Sequence, residues 1–313
     1  MPRQASLYFI NCMRGIEKYF TVCLLFFGSS ISVFGSGEGV SVEAEKLWAF
    51  GQFPITNSMV TSWVVSLIII FSVRALVRKP SLVPSRGQLV VESVVGGLRG
   101  IVEPIVGRRV FFPAFWLLSG LFVFILVNNL SGLLPGVGTI GLGSDHGGHF
   151  TISEAFIRPG NADLNMTFAL AAVANLSWLY FIFRYAGPKA ILKDWFGNKA
   201  DKGEVHLGMF YLLGFIFLLV GVIEVISILF RPISLSFRLF GNVYGGESLL
   251  HSMFHMGEKL GAPDWLSNIM MGIVPVPFYF LEVLIGIVQA LVFMLLVSVY
   301  IGLICNHEEG EDH

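Results

Sequence analysis

The feature that most constrains this chain is a set of apolar stretches, each long enough to cross a lipid bilayer. A hydrocarbon core of about 30 Å requires roughly 20 apolar residues in a helix. Only 13% of the 313 residues are charged and 55% are hydrophobic, a balance typical of membrane proteins. The mostly apolar stretches are residues 19–37, 53–73, 110–144, 164–183, 207–250 and 266–305. The sequence therefore predicts an all-α integral membrane protein.

We expect one membrane domain over residues 38–306, flanked by two terminal segments. Residues 1–37 begin with a basic region and continue into an apolar run that ends in small residues. This order is typical of a secretory signal peptide, and it also fits an N-terminal anchor that is retained. Either interpretation places residues 38–52 on the outer side of the membrane. Residues 307–313 are expected to form an acidic cytoplasmic tail.

The distribution of Lys and Arg predicts the orientation. Basic residues cluster in segments 74–109 and 184–202, whereas residues 136–162 contain Arg158 as their only basic side chain. Cytoplasmic loops of membrane proteins carry an excess of Lys and Arg. We therefore expect about five crossings in the mature chain, with the N-terminus outside and the C-terminus in the cytoplasm.

Three segments depart from a simple series of crossings. Residues 88–106 mix apolar and charged positions, which favours a short helix lying along the cytoplasmic surface. Residues 207–250 would form a helix of about 66 Å, roughly twice the length of a perpendicular crossing. Residues 266–304 have the same excess. Each long segment is either two short helices or one strongly tilted helix, and a hairpin of two long tilted helices is the arrangement we expect.

Ionisable residues interrupt the two long segments: Glu224, Arg231, Arg238, Glu247 and Glu282. A charge at the bilayer centre costs from about 3 to more than 10 kcal/mol, so such residues usually mark an ion path. Glu224 can pair with Arg231, seven residues on, and Arg231 can also extend to the membrane interface. Arg238 has no acid three or four residues away, so its partner is expected on another helix or another chain.

Other polar residues follow at helical spacings. Arg238 and Asn242 share one face, and Glu247 lies on the opposite face. A titratable stripe runs toward the outer loop in steps of four residues: Glu247, His251 and His255. The last segment has a second polar face, formed by Glu282 and Gln289. Carboxylates and imidazoles in a hydrated cavity are suited to relaying protons or small cations.

The same residues allow two other classes of protein, a secondary ion transporter and a zinc protease. A self-contained secondary ion transporter is the main alternative, and it would be favoured by internal symmetry, which we do not find. His251 and His255 have the spacing of zinc ligands, but Ser252 stands where the zinc-protease motif requires Glu. Residues 141–149 are rich in Gly and His without a phosphate-binding spacing, and we expect a flexible loop there. No cofactor, metal or nucleic acid is expected.

The segment with most of these charges has a distinctive order, Arg231-Pro-Ile-Ser-Leu-Ser-Phe-Arg-Leu-Phe-Gly-Asn-Val-Tyr-Gly-Gly-Glu247. It resembles the signature of the F-type ATP synthase a subunit: a basic residue and Pro, then Ser-Leu-x-x-Arg-Leu-Phe-Gly-Asn, then an acid or His five residues on. Shorter stretches resemble other motifs of that family: residues 128–135, 163–167 and 284–290. The resemblance extends over roughly residues 45–305 and leaves out an insert at 141–158.

The resemblance implies roles for individual residues. Arg238 corresponds to the family's essential stator arginine, and Glu224 aligns with an acid of the cytoplasmic exit path. The outer half-channel would include Asn242, Glu247, Glu282 and Gln289, with His251 on the same pathway. The chain departs from some relatives, which carry His at the position of Glu247 or Glu282, or Asp at the position of Gly132.

The resemblance also implies a function and its partners. The chain would be an ion-translocating stator subunit, non-catalytic by itself, for protons or sodium ions. It would work with a rotor ring of small c-type subunits, peripheral-stalk b-type subunits, the rest of the ATP synthase and the lipid bilayer. A bacterial inner membrane is the location implied.

The orientation leads to a first prediction. In a background without native cysteines, Ser144→Cys should react with a membrane-impermeant thiol reagent added outside. Asn198→Cys should react only when the reagent reaches the cytoplasmic side, because it lies among the clustered basic residues. Labelling of intact cells and of inverted vesicles measures both. Reaction of both positions from the same side would contradict the five-crossing topology.

Overall fold

The computed structural model describes residues 44–50, 53–78, 80–134, 141–146, 149–155, 157–185, 187 and 207–305. Its helices in chain order are α1 (Asn57–Leu76), α2 (Arg86–Val106), α3 (Arg108–Ser131), α4 (Leu164–Tyr185), α5 (Leu207–Phe254), α6 (Met256–Lys259), α7 (Asp264–Ile273) and α8 (Pro275–Cys305). Five helical stretches of this described part are long and apolar enough to cross a membrane. The all-α membrane class is confirmed. The proposed signal or anchor segment 1–37 and the tail 307–313 lie outside the described residues.

The two long apolar segments, residues 207–250 and 266–304, differ in structure. Helix α5 is continuous for 48 residues and passes Pro232 without a break, which gives it a length of about 72 Å. The last segment is instead two helices: α7, and then α8 of 31 residues. Helix α8 begins at Pro275, because proline is accommodated at a first helical position, where its missing N–H is not needed. The third apolar stretch is helical only to Ser131, before a turn at Gly132 and Leu133.

The core lies where α3, α4, α5 and α8 pack together. Its largest fully buried side chains include Leu118 on α3, Trp178 on α4 and Phe293 on α8. Helices α2 and α8 approach closely at Gly302, where an added Cβ would overlap the carbonyl oxygen of Ile105. Small residues allow this kind of close approach between membrane helices. The last helix is therefore held against its neighbours, which fixes the position of its polar residues.

Helix α2 confirms the helical part of the expectation for residues 88–106. The hydroxyl of Ser85 caps it by accepting a hydrogen bond from the backbone N–H of Gln88. One face is buried at Leu98 and Val102, while other apolar residues of the helix are exposed. On the exposed surface, Arg99 donates to Glu103 at 2.8 Å, and this bond holds the pKa of Glu103 below its usual range.

Two β-hairpins supplement the helices. Strands β1 (Lys46–Phe50) and β2 (Phe53–Thr56) are antiparallel and lead directly into α1. Strands β3 (Gly141–His146) and β4 (His149–Ala155) form a second antiparallel pair. The expectation of a flexible loop at 141–149 is therefore wrong. Gly-Gly between two short segments is a sequence signal for a β-hairpin, and it favours the pairing of β3 with β4.

Candidate functional site

Two carboxylates from the longest helices line one cavity. Glu247 on α5 and Glu282 on α8 face a space of about 480 Å³, together with His251, His255 and Tyr279. The separation of Glu247 and Glu282 in sequence is large, but the close packing of α5 and α8 brings them together. The structure therefore places the predicted outer acids and the histidine stripe around a common cavity.

A glycine on α5 makes room for Glu282. A Cβ added at Gly246 would overlap the carboxyl group of Glu282. The neighbouring Gly245 has open space around it, with nothing within 4 Å of an added Cβ. The side chain of Glu282 can therefore lie directly against the α5 backbone, beside Glu247, only because residue 246 has no side chain.

Arg158 is a site residue that could not be recognised from its place in the sequence. It is 6% exposed, and its Nη2 lies 4.0 Å from Oε2 of Glu247. Its backbone N–H donates to the hydroxyl of Thr61 on α1 at 3.2 Å, and its Nη2 donates to the carbonyl of Ala162 at 3.5 Å. The sequence suggested an isolated basic residue of an outer loop. The structure instead buries Arg158 beside Glu247.

A sequence signal for this burial existed on α1. Polar residues recur along one face of an otherwise apolar helix: Asn57, Ser58, Thr61, Ser62 and Ser66. All are buried. A polar stripe in a membrane helix indicates that a polar partner packs against it. Here that partner is the turn of Arg158, Pro159 and the short 3₁₀ helix Gly160–Ala162.

The same turn accounts for the glycine at residue 132, where some members of the family that the sequence resembles carry aspartate. Gly132 lines the cavity, and an added Cβ would lie 2.9 Å from Cγ of Pro159. Pro159 thus occupies the space where an aspartate side chain would begin. In this chain, the outer cavity has a buried guanidinium next to Pro159 and has glycine at residue 132.

Amide side chains connect the cavity to the interior. Asn161 donates to Oδ1 of Asn129 at 2.7 Å, and Asn129 donates to the carbonyl of Gly286 at 3.0 Å. Asn242 on α5 donates to Oε1 of Gln289 on α8 at 2.7 Å. The side chains of Asn242 and Gln289, which the sequence places on polar faces of their helices, thus link α5 directly to α8. This hydrogen bond is called the amide bridge below.

The buried polar atoms near this route that have no hydrogen-bond partner among the described residues include Oε2 of Glu247 and Nε2 of Gln289. A buried donor or acceptor left unpaired costs about 1–3 kcal/mol, so such atoms normally bind water or an ion. One is an acceptor in the outer cavity and the other a donor on the amide bridge. Both are suited to ordering water along the route.

Arg238 lies one turn before Asn242 on α5, with its side chain exposed. Within the described part of the chain, Arg238 makes no ion pair and no side-chain hydrogen bond. This agrees with the expectation that its partner is not a neighbour on its own helix. Its cation is presented on the outside of the helix bundle, about 14 Å along α5 from Glu247.

Glu224 is separate from the outer cavity. It precedes Glu247 by 23 residues on the continuous helix, or about 35 Å. The expected pair with Arg231 is present, with Nη2 of Arg231 at 2.7 Å from Oε1 of Glu224. The structure therefore brings Glu247, Glu282, His251 and the amide bridge to one side of Arg238, and leaves Glu224 on the other.

The outer histidines do not complete a metal site in the residues described. The rings of His251 and His255 lie 4.5 Å apart, and Nδ1 of His255 is 2.9 Å from the carbonyl oxygen of His251. In the described segments, no group of three His, Cys, Asp or Glu side chains is arranged to hold a metal ion.

Membrane-length helices with ionisable side chains along their interior faces define a multi-pass membrane protein of the ion-handling class. The model of the ATP synthase A chain family matches residues 59–302. ATP synthase subunit a of Moorella thermoacetica is 28% identical over 263 residues, which are 83% of this chain and 96% of that protein. The chain belongs to the ATP synthase A chain family, whose members are subunits of the membrane sector of ATP synthase.

The fit of Glu282 against Gly246 leads to a second prediction. Gly246→Ala should displace the Glu282 carboxyl group and lower gradient-driven ATP synthesis by the assembled complex, because the new methyl group occupies its place. Assembly should stay normal, since the end of a glutamate side chain can move. Gly120→Ala on α3, where an added Cβ also has nothing within 4 Å, is the matched control and should behave like the wild type. Equal rates for the two variants would contradict the close approach.

Proposed function

We propose that this chain is the ion-translocating stator subunit of a rotary F-type ATP synthase. It provides two offset half-channels and the arginine that faces the rotor-ring carboxylate. The observation that carries the proposal is the division of α5: acids and amides lie on one side of Arg238, Glu224 lies on the other, and Arg238 is exposed between them. The subunit is non-catalytic by itself, and it couples ion flow to rotation. The transported ion is the proton, with sodium as the alternative.

The outer half-channel is the cavity of Glu247 and Glu282. Ions reach it past His251, at the end of the stripe near the outer loop. Oxygen and imidazole groups exchange protons and coordinate small cations, so they replace the hydration that an ion loses in the membrane. The bridge of Asn242 and Gln289 then continues the polar route toward the rotor-facing side of α5.

Arg238 is the barrier between the half-channels. A fixed positive charge repels a cation that would pass directly from one half-channel to the other. The same charge attracts an ionised carboxylate on the rotor ring, which supplies the acid that this chain does not place beside Arg238 in the described residues. The ion then travels with the rotor carboxylate and leaves through the inner half-channel, where Glu224 accepts it.

Arg158 belongs to the outer half-channel as a fixed counter-charge. A guanidinium at 4.0 Å from Glu247 compensates the cost of a carboxylate in the membrane. This stabilises an acid that must remain accessible to water and ions. Arg158, in the turn before α4, thus stabilises the carboxylate of Glu247 on α5.

The remaining partners follow from membership of the complex. The exposed face of α5 around Arg238 is the surface for the ring of small c-type subunits, and b-type subunits of the peripheral stalk hold the chain stationary. The protein would lie in a bacterial inner membrane, with its N-terminus outside and its C-terminus in the cytoplasm. A self-contained secondary transporter would instead need a partner for Arg238 within the chain.

The third prediction tests the arginine. Arg238→Ala and Arg238→Gln should assemble but abolish ATP synthesis driven by an ion gradient, and should allow passive ion leakage, because the barrier is removed. Arg238→Lys should also fail, since a guanidinium stays protonated whereas an ammonium removed from water against the rotor ring can lose its proton. Reconstituted vesicles measure synthesis and leakage together. Near wild-type synthesis by Arg238→Ala would overturn the proposed function.

The fourth prediction tests the outer half-channel. Glu247→His or Glu282→His should retain partial coupling, because imidazole still exchanges protons near neutral pH. The double variant Glu247→Leu with Glu282→Leu should stop ion uptake from the outside, measured as loss of gradient-driven ATP synthesis. ATP hydrolysis by the detached catalytic sector is the control and should be unaffected. Ordinary synthesis by the double variant would refute the assignment of this cavity.

A further inference from the structure

Arg231 occupies a cage made by three helices. Its guanidinium carbon lies 4.9 Å from the centre of the Trp178 ring on α4 and 4.5 Å from the centre of the Tyr300 ring on α8. The indole N–H of Trp178 donates to the backbone carbonyl of Tyr300 at 2.7 Å, which ties the Trp178 side chain to the backbone of α8. Because α4 and α8 are fixed to each other in this way, the guanidinium of α5 has little freedom to move.

The edge of the caged guanidinium is directed to Glu224. The distance of 2.7 Å from Nη2 to Oε1 is that of a strong, charge-assisted hydrogen bond. The side chain of Arg231 is 16% exposed, whereas that of Glu224 is 42% exposed. Glu224 lies among exposed apolar residues such as Ile223 and Ile226. Among the described residues, Arg231 is the only hydrogen-bond partner of its carboxylate.

A lysine cannot reproduce this arrangement. A guanidinium is planar and weakly hydrated, so it can lie close to aromatic rings while its N–H groups donate to a carboxylate. An ammonium is a compact, strongly hydrated charge, and it fits less well in a place lined by rings. The sequence allowed Arg231 to be a residue that merely extends to the interface. In the structure, its guanidinium is instead mostly covered and lies over two aromatic rings.

We propose that Arg231 is a positioning residue for Glu224, and that the cage of Trp178 and Tyr300 selects arginine for this place. The cage fixes the guanidinium, and the guanidinium fixes the carboxylate on an exposed helix face, where a free glutamate would sample many rotamers. This inference rests on the proposed role of Glu224 in the inner half-channel. It also accounts for the difference between two arginines seven residues apart: the charge of Arg231 is neutralised locally, whereas that of Arg238 has no counter-charge among the described residues.

The cage is tested in the complete ATP synthase in membrane vesicles. The measured quantity is the rate of gradient-driven ATP synthesis, divided by the amount of assembled complex. We expect Arg231→Lys and Tyr300→Leu to lower gradient-driven ATP synthesis roughly tenfold, because each removes ring-to-cation stacking that holds the guanidinium. Tyr300→Phe keeps the ring and should be close to wild type. Arg99→Lys is the matched control. Arg99 also pairs with a glutamate, Glu103, and lies over an aromatic ring, but on the exposed surface helix.

A double-mutant cycle separates positioning from a structural role. If Arg231 acts through Glu224, Arg231→Lys should cause no further loss in a Glu224→Gln background, since the group to be positioned is already changed. A structural role would give the same loss in both backgrounds, or less assembled complex, and either result would overturn the inference.

The failure of this inference can be distinguished from failure of the proposed function. Unchanged synthesis by Arg231→Lys, while Glu224→Gln and Arg238→Ala are impaired, overturns the cage alone. Unchanged synthesis by Glu224→Gln removes the inner role of Glu224, and the positioning role with it. Unchanged synthesis by Arg238→Ala overturns the proposed function itself.

Discussion

A charge inside a membrane has to be compensated, and this requirement organises the polar part of the structure. Hydrocarbon offers no hydrogen bonds, so each ionised side chain needs an opposite charge, a polar partner or water. Two charged side chains of α5 meet this requirement within the described part of the chain, and a third, Arg238, does not. Glu247 lies beside a buried guanidinium, Arg231 is held by an acid and two rings, and Arg238 is left on the surface of the bundle. The helix packing serves to bring these partners together.

The membrane class and most helices could be predicted, because the apolar length that crosses a bilayer is a local property of the sequence. The same holds for the pair Glu224–Arg231, since both residues lie on one helix at a fixed spacing. Arg158 could not be placed in this way, because its burial depends on packing between the outer turn and α1. Nor could the cage around Arg231 be predicted, since its rings come from residues more than 50 positions away in either direction.

Two glycines also show that local sequence predicts the helix but not the tertiary contacts of its residues. Gly245 and Gly246 are neighbours with the same helical conformation, so nothing in the sequence distinguishes them. The structure does, because one faces open space and the other faces the Glu282 carboxyl group. The continuation of α5 through Pro232 is likewise decided by packing, since the residue alone permits either a bend or a continuous helix.

The continuity of α5 has a geometric consequence. Glu224, Arg238 and Glu247 belong to one helix, so their axial separations are set by the rise per residue, about 1.5 Å, and are independent of loop conformation. The helix therefore fixes the distances between these three residues along its axis. A hinge between two separate segments would allow these separations to change. A continuous helix holds Glu224 and Glu247 at a fixed axial distance, so the two carboxylates can only move together.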